Sequence, residues 1–129
     1  SMDFRTVVSL LDAEVLSRQV THNHTFVRGA AADLMSDVLA YAPASSVLLT
    51  GLINPQVVRT AEMAGILTIV FVRGKHPPAE TLRLAEEVGI PLLSTRYTMY
   101  EACGLLFHAG LEGPGPCAAY DLPEQVAQA

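Results

Sequence analysis

Cysteine is scarce in this sequence of 129 residues, and its scarcity narrows the possible classes of protein. Two cysteines are too few for a disulfide framework or for a zinc site built from thiolates. Cys103 falls on an apolar stripe with helical spacing, and Cys117 lies in a segment rich in glycine and proline. No obvious base accompanies Cys103 in the local sequence, so we interpret both cysteines as plain thiols.

Basic residues and long apolar runs are scarce as well. Eight Lys and Arg residues face thirteen Asp and Glu residues, which gives a formal net charge of −5 and argues against a broad basic face for nucleic acid or anionic lipid. No apolar run approaches the roughly 20 residues of a membrane span, and the N-terminus lacks a basic segment followed by an apolar signal core. We therefore expect a cytoplasmic protein that binds neither nucleic acid nor membrane. Ser1 is interpreted as a cloning remnant in front of the native Met2.

Half of the residues are hydrophobic, which is enough for one domain with a sizeable core. Predicted strands cover residues 6–10, 25–27, 47–49, 67–72 and 90–93, and a short turn of helix is expected over 12–16. Longer helices are predicted to begin near Asp33, Pro55, Pro78 and Met99. Because nearly continuous apolar strands that alternate with helices are typical of buried parallel sheets, we predict a single α/β domain with a mostly parallel β-sheet flanked by helices.

Two parts of the chain repeat one another. Segment 49–55 aligns with 72–78 at an offset of 23 residues, and this alignment matches both a glycine and a proline. Each copy is predicted to form a strand, a glycine turn, a helix that begins at proline, a glycine stop and another strand.

A composition change after Leu111 marks the boundary of the predicted domain. Residues 112–116 (EGPGP) favour neither a helix nor a ladder, so we divide the chain into a domain over 1–112 and a Gly/Pro-rich C-terminal tail over 113–129. We expect the tail to be held by a groove of the domain or by a second subunit.

Five segments carry a family resemblance: 33–40 (DLMSDVLA), 48–52 (LLTGL), 72–75 (VRGK), 89–95 (GIPLLST) and 97–102 (YTMYEA). Together they resemble a stand-alone DRTGG-domain protein, similar to the N-terminal domain of HPr serine kinase/phosphorylase and to the DRTGG modules of phosphotransacetylases and CBS-containing pyrophosphatases. The resemblance covers about residues 5–112. It implies a non-catalytic regulatory or assembly module of a bacterial cytoplasm, often dimeric, and supplies no catalytic residues.

The chain also departs from that family's pattern. Leu52 follows Gly51 where a second glycine is typical, so a close ligand contact cannot be transferred from relatives that have both glycines. A Gly-x-x-x-x-Gly-Lys-Ser/Thr motif is absent from the sequence, so the phosphate-binding loop of the kinase domain is absent too.

Polar and basic residues follow the predicted strands at the edge where open parallel sheets bind ligands. Helix N-termini at such an edge favour anions, so we predict an anion pocket there. The predicted ligand-binding residues are Thr50, Gly51, Asn54, Arg73, Gly74, Lys75 and Arg96. Secondary candidates are Arg28, Asp33, Thr95, Tyr97 and Glu101. In the alternative interpretation these loops are merely exposed, and their charges are solvated or paired with neighbouring acids.

Other polar groups suggest sites with less support. His22 and His24 lie on one side if their segment is extended, but no third ligand is near in sequence, so we predict no metal site. Glu101 lies with Tyr97 and Tyr100 in the first turn of the last predicted helix. Glu101 is suited to act as a base, or it simply interacts favourably with the helix dipole. The two tyrosines are instead candidates for an interface. We predict no catalytic residue and no cofactor.

Three functions remain open from the sequence. The leading hypothesis is a non-catalytic regulatory or ligand-sensing domain, a homodimer that binds a small anion such as a nucleotide or a phosphorylated metabolite. The second is an interaction module without a ligand, which holds a partner enzyme or regulator. The third is a small phosphotransfer or hydrolytic enzyme, for which Thr50, Cys103 and the histidines lack local partners.

Overall fold

The computed structural model describes residues 1–17 and 23–117. Its five helices are α1 (Phe4–Leu11), α2 (Met35–Tyr41), α3 (Pro55–Ala64), α4 (Ala79–Val88) and α5 (Met99–His108). Its strands are β1 (Met2–Asp3), β2 (Glu14–Val15), β3 (Thr25–Phe26), β4 (Arg28–Ala31), β5 (Ser46–Thr50), β6 (Thr68–Phe71) and β7 (Leu92–Ser94). None of these helices is long and apolar enough to cross a membrane.

The main sheet has five strands in the order β2-β7-β6-β5-β4. Strands β4, β5, β6 and β7 are parallel, whereas β2 adds to β7 as an antiparallel edge. Strands β1 and β3 form a separate antiparallel pair. The prediction of an α/β domain with a mostly parallel sheet is therefore confirmed.

Helices cover both faces of this sheet, which is why its central strands β5, β6 and β7 contain no charged residue. Every residue of β5, β6 and β7 is buried. One core lies between the sheet and helices α1 and α5, and contains Val7, Leu49, Val70, Leu93 and Leu106. The other lies on the opposite face against α2, α3 and α4, and contains Val38, Leu48, Val58, Phe71 and Ala85.

The predicted repeat appears as two consecutive strand-helix units, β5-α3 and β6-α4. Each helix ends at a glycine in the left-handed conformation, with φ of 73° at Gly65 and 78° at Gly89. Pro55 occupies the first turn of α3, where its missing N–H is not needed. Because both units are parallel neighbours in the sheet, the loops that follow β5 and β6 lie side by side.

Two predictions near the N-terminus are wrong. Residues 6–10 were predicted to be a strand, but they belong to α1, where the Asp3 side chain caps the helix by accepting a hydrogen bond from the N–H of Thr6. Phe4, Val7 and Leu11 form its buried face. Residues 12–16 were predicted to be a helical turn, but they contain β2, whose two residues are both exposed.

The start of the C-terminal tail lies beside the outer strand β4. The N–H of Gly29 donates to the carbonyl of Glu112 at 2.9 Å, and Leu111 is buried in the core under α5. The predicted docking of the tail in a groove or on a second subunit concerns mainly residues 118–129, which lie outside the described residues.

Candidate functional site

The polar cluster begins where β5 ends. The carboxylate oxygen Oδ1 of Asp33 accepts hydrogen bonds from the Thr50 hydroxyl at 3.0 Å and from the N–H of Gly51 at 2.7 Å. The Thr50 hydroxyl in turn accepts from the N–H of Leu52 at 3.1 Å. The helix predicted to begin near Asp33 has Leu34 as its N-cap residue, and the Leu34 side chain makes no capping bond. Asp33 therefore belongs to the carboxyl edge of the sheet.

The second loop of the repeat meets the first at Gly51. The Lys75 ammonium donates to the carbonyl oxygen of Gly51 at 2.7 Å. A methyl group placed on Gly51 would lie 3.3 Å from Nη2 of Arg73 and 3.6 Å from each carboxylate oxygen of Asp33. The structure thus brings together the two predicted loops and the secondary candidate Asp33 around one glycine.

Loop 73–76 is held in an unusual backbone conformation. Arg73 has φ of 60° and Gly74 has φ of 70°, so two consecutive residues are left-handed. This conformation is ordinary for glycine, but it costs roughly 1–2 kcal/mol for a residue such as arginine. The strained arginine is held in place by its own N–H, which donates to the carbonyl of Tyr97 at 2.8 Å. Strain of this kind is concentrated at functional positions.

Several backbone N–H groups of these loops are already used within the protein. Gly74 donates to Thr95 at 2.7 Å, Lys75 donates to Val72 at 3.3 Å, and Gly51 donates to Asp33 as described above. The N–H groups of these three residues are therefore not free to hold phosphate in the way that a glycine-rich loop does. Side chains are the donors that remain beside them.

Two exposed guanidinium groups are the side chains best placed for such a role. Arg73 and Arg96 are both exposed, and within residues 1–17 and 23–117 neither forms an ion pair with an acid. They lie on neighbouring loops, because the N–H groups of Arg73 and Gly74 donate to Tyr97 and Thr95, the residues on either side of Arg96. Guanidinium groups suit phosphate and carboxylate because their N–H donors match two oxygen atoms at once.

Of the other predicted site residues, three are exposed and one is buried. Asn54 is exposed at the start of α3, where its side chain makes no capping bond. Thr95 is buried, and its hydroxyl donates to the carbonyl of Leu11 at 2.7 Å, so it supports the loop from beneath. Tyr97 is 41% exposed. Glu101 lies in the first turn of α5, where the Thr98 hydroxyl caps its N–H.

Arg28 was predicted at the same edge, and this placement is wrong. Arg28 is the first residue of β4 and pairs in register with Ser46, the first residue of β5. It therefore lies at the amino end of the sheet, and its guanidinium donates to the carbonyl of Val27. The prediction failed because β4 begins at Arg28, whereas the preceding residues 25–26 pair with β1 instead.

Of the two histidines considered as metal ligands, His22 lies outside the described residues. Among the residues that are described, no three His, Cys, Asp or Glu side chains are grouped to hold a metal ion.

His76 makes a contact with Glu14 that the local sequence does not indicate. Its Nε2 lies 3.1 Å from Oε1 of Glu14, and its Nδ1 lies 3.1 Å from the carbonyl oxygen of Gly74. The hydrogen bond with Glu14 and then the one with the Gly74 carbonyl raise the pKa of His76 above its ordinary value. The contact was not predictable locally, since Glu14 is 62 residues away and lies on the short antiparallel strand β2.

Both cysteines are free thiols, as predicted. Cys103 is half-buried, and burial raises the pKa of its thiol. A nucleophilic cysteine needs the opposite shift, which a nearby cation or helix N-terminus usually produces. Cys103 therefore lacks the electrostatic setting of a catalytic thiolate.

An apolar groove lies away from the polar cluster, between β4 and α5. It has a volume of about 520 Å³, and its lining includes Gly29, Ala31, Leu105 and Leu111. Tyr100 and Phe107 border it with exposed fractions of 86% and 67%. Gly104 stands between them on the helix, and a methyl group placed there would meet no atom within 4 Å. This face of α5 is therefore both apolar and open.

Comparison with known proteins gives the same family as the sequence motifs. The model of the DRTGG domain family matches residues 6–109. None of the curated proteins is significantly similar to this chain.

One similar solved structure contains the CBS and DRTGG domains of the regulatory region of Clostridium perfringens pyrophosphatase, complexed with the activator diadenosine tetraphosphate. It matches with a TM-score of 0.62 and 13% sequence identity, over 98% of this chain. The present chain corresponds to 58% of the length of that chain. At this identity the similarity establishes the fold alone.

Proposed function

This chain belongs to the DRTGG domain family, and from that premise we propose that it is a non-catalytic regulatory domain that binds a small phosphorylated ligand at the carboxyl edge of its sheet. The ligand contacts are assigned to the exposed guanidinium groups of Arg73 and Arg96, with Thr50, Gly51, Asn54, Gly74 and Lys75 shaping the site. The left-handed Arg73 carries this proposal.

The energetic cost of that conformation supports a functional role for Arg73. A glycine in the same position would avoid the strain. The side chain of Arg73 makes no hydrogen bond within the described part of the protein, yet its guanidinium lies close above Gly51. An exposed guanidinium without an acidic partner is well suited to bind an anion.

The solved relative suggests which anion to test first. Its regulatory region was crystallised with diadenosine tetraphosphate, but that region holds CBS domains as well as a DRTGG domain. A nucleotide is therefore a candidate class for the present chain, alongside simpler phosphate compounds.

Thermal unfolding in the presence of inorganic phosphate, pyrophosphate, AMP, ADP and diadenosine tetraphosphate would test the proposal. A ligand at 100 times its dissociation constant stabilises the folded state by about 2.7 kcal/mol. We expect at least one of these compounds to raise the melting temperature of the wild type, and Arg73→Ala to abolish the increase. Arg83→Ala, which removes an equal charge from the exposed side of α4, should leave it intact. The proposal fails if none of the compounds stabilises the protein, or if Arg73→Ala responds like the wild type.

A second function, self-assembly, is favoured by the open apolar face of α5. We propose that a second copy of this chain covers Tyr100, Gly104 and Phe107, because exposed aromatic residues are typical of protein interfaces and Gly104 leaves space between them for the side chains of an identical helix. A partner enzyme or regulator would then bind the dimer elsewhere. Sedimentation equilibrium should show a dimer for the wild type and a monomer for Phe107→Glu, with Met63→Glu, at an exposed position of α3, as the control. A monomeric wild type would exclude self-assembly.

A further inference from the structure

Gly51 is buried beneath two side chains of opposite charge. Nη2 of Arg73 lies 3.3 Å from the position of a methyl group on Gly51, and both oxygens of Asp33 lie 3.6 Å from it. The two charged groups are thus no further apart than the sum of these distances. No ion pair joins them among the contacts of the described residues. They lie beside one another over Gly51 without pairing.

The two oxygens of Asp33 are used differently. Oδ1 accepts from the Thr50 hydroxyl and from the N–H of Gly51, which fixes the orientation of the carboxylate. None of the hydrogen bonds in the described part of the chain ends on Oδ2, and Asp33 is exposed. The cluster therefore presents one unoccupied carboxylate oxygen, which can only accept hydrogen bonds.

A bare phosphate fits this arrangement poorly. Arg73 would attract it, but the ionised carboxylate beside it would repel it and would gain no hydrogen bond in return. A hydroxyl group matches both neighbours, because its oxygen accepts from the guanidinium while its hydrogen is donated to the carboxylate. A ligand with a phosphate and nearby hydroxyls satisfies the whole cluster.

We infer that this site selects a phosphorylated sugar or ribonucleotide, with Asp33 accepting hydrogen bonds from a hydroxyl pair of the sugar while the arginines bind the phosphate. This inference rests on the proposed function. Asp33 is thus assigned as the residue that determines specificity, and Gly51 as the buried residue on which Asp33 and Arg73 rest. An alanine at position 51 is compatible with the backbone, since Gly51 is not among the residues with positive φ, but its methyl group would lie only 3.3 Å from Nη2 of Arg73 and would displace the guanidinium.

Binding of AMP and of 2′,3′-dideoxy-AMP, measured by calorimetry, tests the inference. These probes carry the same phosphate and base and differ only in the two sugar hydroxyls. We expect the wild type to bind AMP at least about tenfold more tightly than the dideoxy compound, since a hydrogen bond to a charged group has about this effect.

The variant Asp33→Asn tests the role of Oδ2, the oxygen of Asp33 that accepts no hydrogen bond within the described residues. The asparagine carbonyl can still accept from Thr50 and Gly51, whereas its NH₂ group replaces Oδ2 and cannot accept. We expect Asp33→Asn to bind AMP and dideoxy-AMP equally and to bind inorganic phosphate at least as tightly as the wild type. Asp37→Asn, which removes an exposed charge from the first turn of α2, should keep the wild-type preference. Gly51→Ala provides a second variant and should also lose the preference for AMP.

The outcomes separate the two proposals. Equal binding of both probes by the wild type, or a preference that persists in Asp33→Asn, overturns the role of Asp33 while leaving anion binding at Arg73 intact. If neither AMP nor dideoxy-AMP binds, or if both bind Arg73→Ala as tightly as the wild type, the proposed function and the inference are both overturned for these ligands.

Discussion

The ammonium nitrogen of Lys75 lies 2.7 Å from the carbonyl oxygen of Gly51, and this bond joins two loops that are 24 residues apart in the sequence. Lys75 is also the sole lysine of the chain. Because it is half-buried, its charged hydrogen bond should stabilise the fold more than a fully solvated contact does.

Replacing Lys75 with methionine removes this bond while keeping a long apolar side chain. We expect the free energy of unfolding, measured with urea, to fall by about 1 kcal/mol. Arg83→Met removes an exposed cation from α4 and should change it by less than about 0.5 kcal/mol. Equal effects of the two variants would show that the contact with Gly51 contributes nothing to stability.

Two substitutions of Arg73 separate backbone strain from ligand binding. Arg73→Gly and Arg73→Ala both remove the guanidinium, but only glycine relieves the left-handed conformation at φ of 60°. We expect Arg73→Gly to be more stable than Arg73→Ala by about 0.5–1 kcal/mol in urea unfolding, and both to lose anion binding. If Arg73→Ala is more stable than Arg73→Gly, the backbone at position 73 is not strained.

The pair formed by His76 and Glu14 should make stability depend on pH. The pKa of His76 is raised in the folded state, chiefly by its hydrogen bond with Glu14, so the fold favours the protonated imidazole. Its stabilising contribution is complete below the unfolded-state pKa of about 6.5 and is lost as the pH rises through the higher folded-state pKa.

The corresponding measurement compares melting temperatures of the wild type and His76→Gln at about pH 5.5 and about pH 8.5. The wild type should have its advantage at the lower pH, and Glu14→Gln should reduce that advantage. An NMR titration of His76 that gives an ordinary pKa would contradict the prediction.

Two buried threonines should respond in opposite ways to replacement by valine. The Thr68 hydroxyl, in β6, is buried without a hydrogen-bond partner in the described structure, whereas the Thr95 hydroxyl donates to Leu11 at 2.7 Å. Valine has nearly the same shape without the polar atom. We expect Thr68→Val to raise the free energy of unfolding by up to about 1 kcal/mol and Thr95→Val to lower it by about 1–2 kcal/mol. The prediction is wrong if the two variants shift it in the same direction.

The two thiols should react with DTNB at very different rates. Cys117 is exposed, whereas Cys103 is half-buried and its pKa is raised by that burial. We expect one fast and one slow phase of labelling, and Cys117→Ser should remove the fast phase. If Cys117→Ser retains a fast phase, Cys103 is more accessible or more acidic than the structure implies.

The fold was largely predictable because its apolar segments are long and regularly interrupted. Local sequence determines three of its elements: the apolar strand around Leu48, the helix that begins at Pro55 and the end of that helix at Gly65. Tertiary contacts override none of these local preferences. The N-terminal helix was not predictable in this way. Its residues Thr6, Val7 and Val8 have strand propensity, and the helical spacing of Phe4, Val7 and Leu11 prevails only because one face packs on the sheet.

The candidate site was predictable in outline and not in detail. The repeat predicted two neighbouring strand-helix units, and loops that follow parallel strands lie at the same edge of the sheet, so Gly51, Arg73 and Lys75 were correctly expected together. The contacts between them depend on the directions of the side chains, which residue spacing in the sequence does not give. The hydrogen bond from Lys75 to Gly51 is an example. Arg28 was misplaced because the sequence does not show which of two adjacent short strands joins the main sheet.

Loop 73–76 is attached to three separate parts of the chain, at Gly51, at residues 94–97 and at Glu14. Exposed loops usually lose conformational freedom when they capture a ligand, and this loss weakens binding. In loop 73–76 that freedom has been given up during folding. Under the proposed function, a ligand at Arg73 would therefore meet a backbone that needs little further ordering, because the entropic cost of fixing the loop belongs to the folding step and not to the binding step.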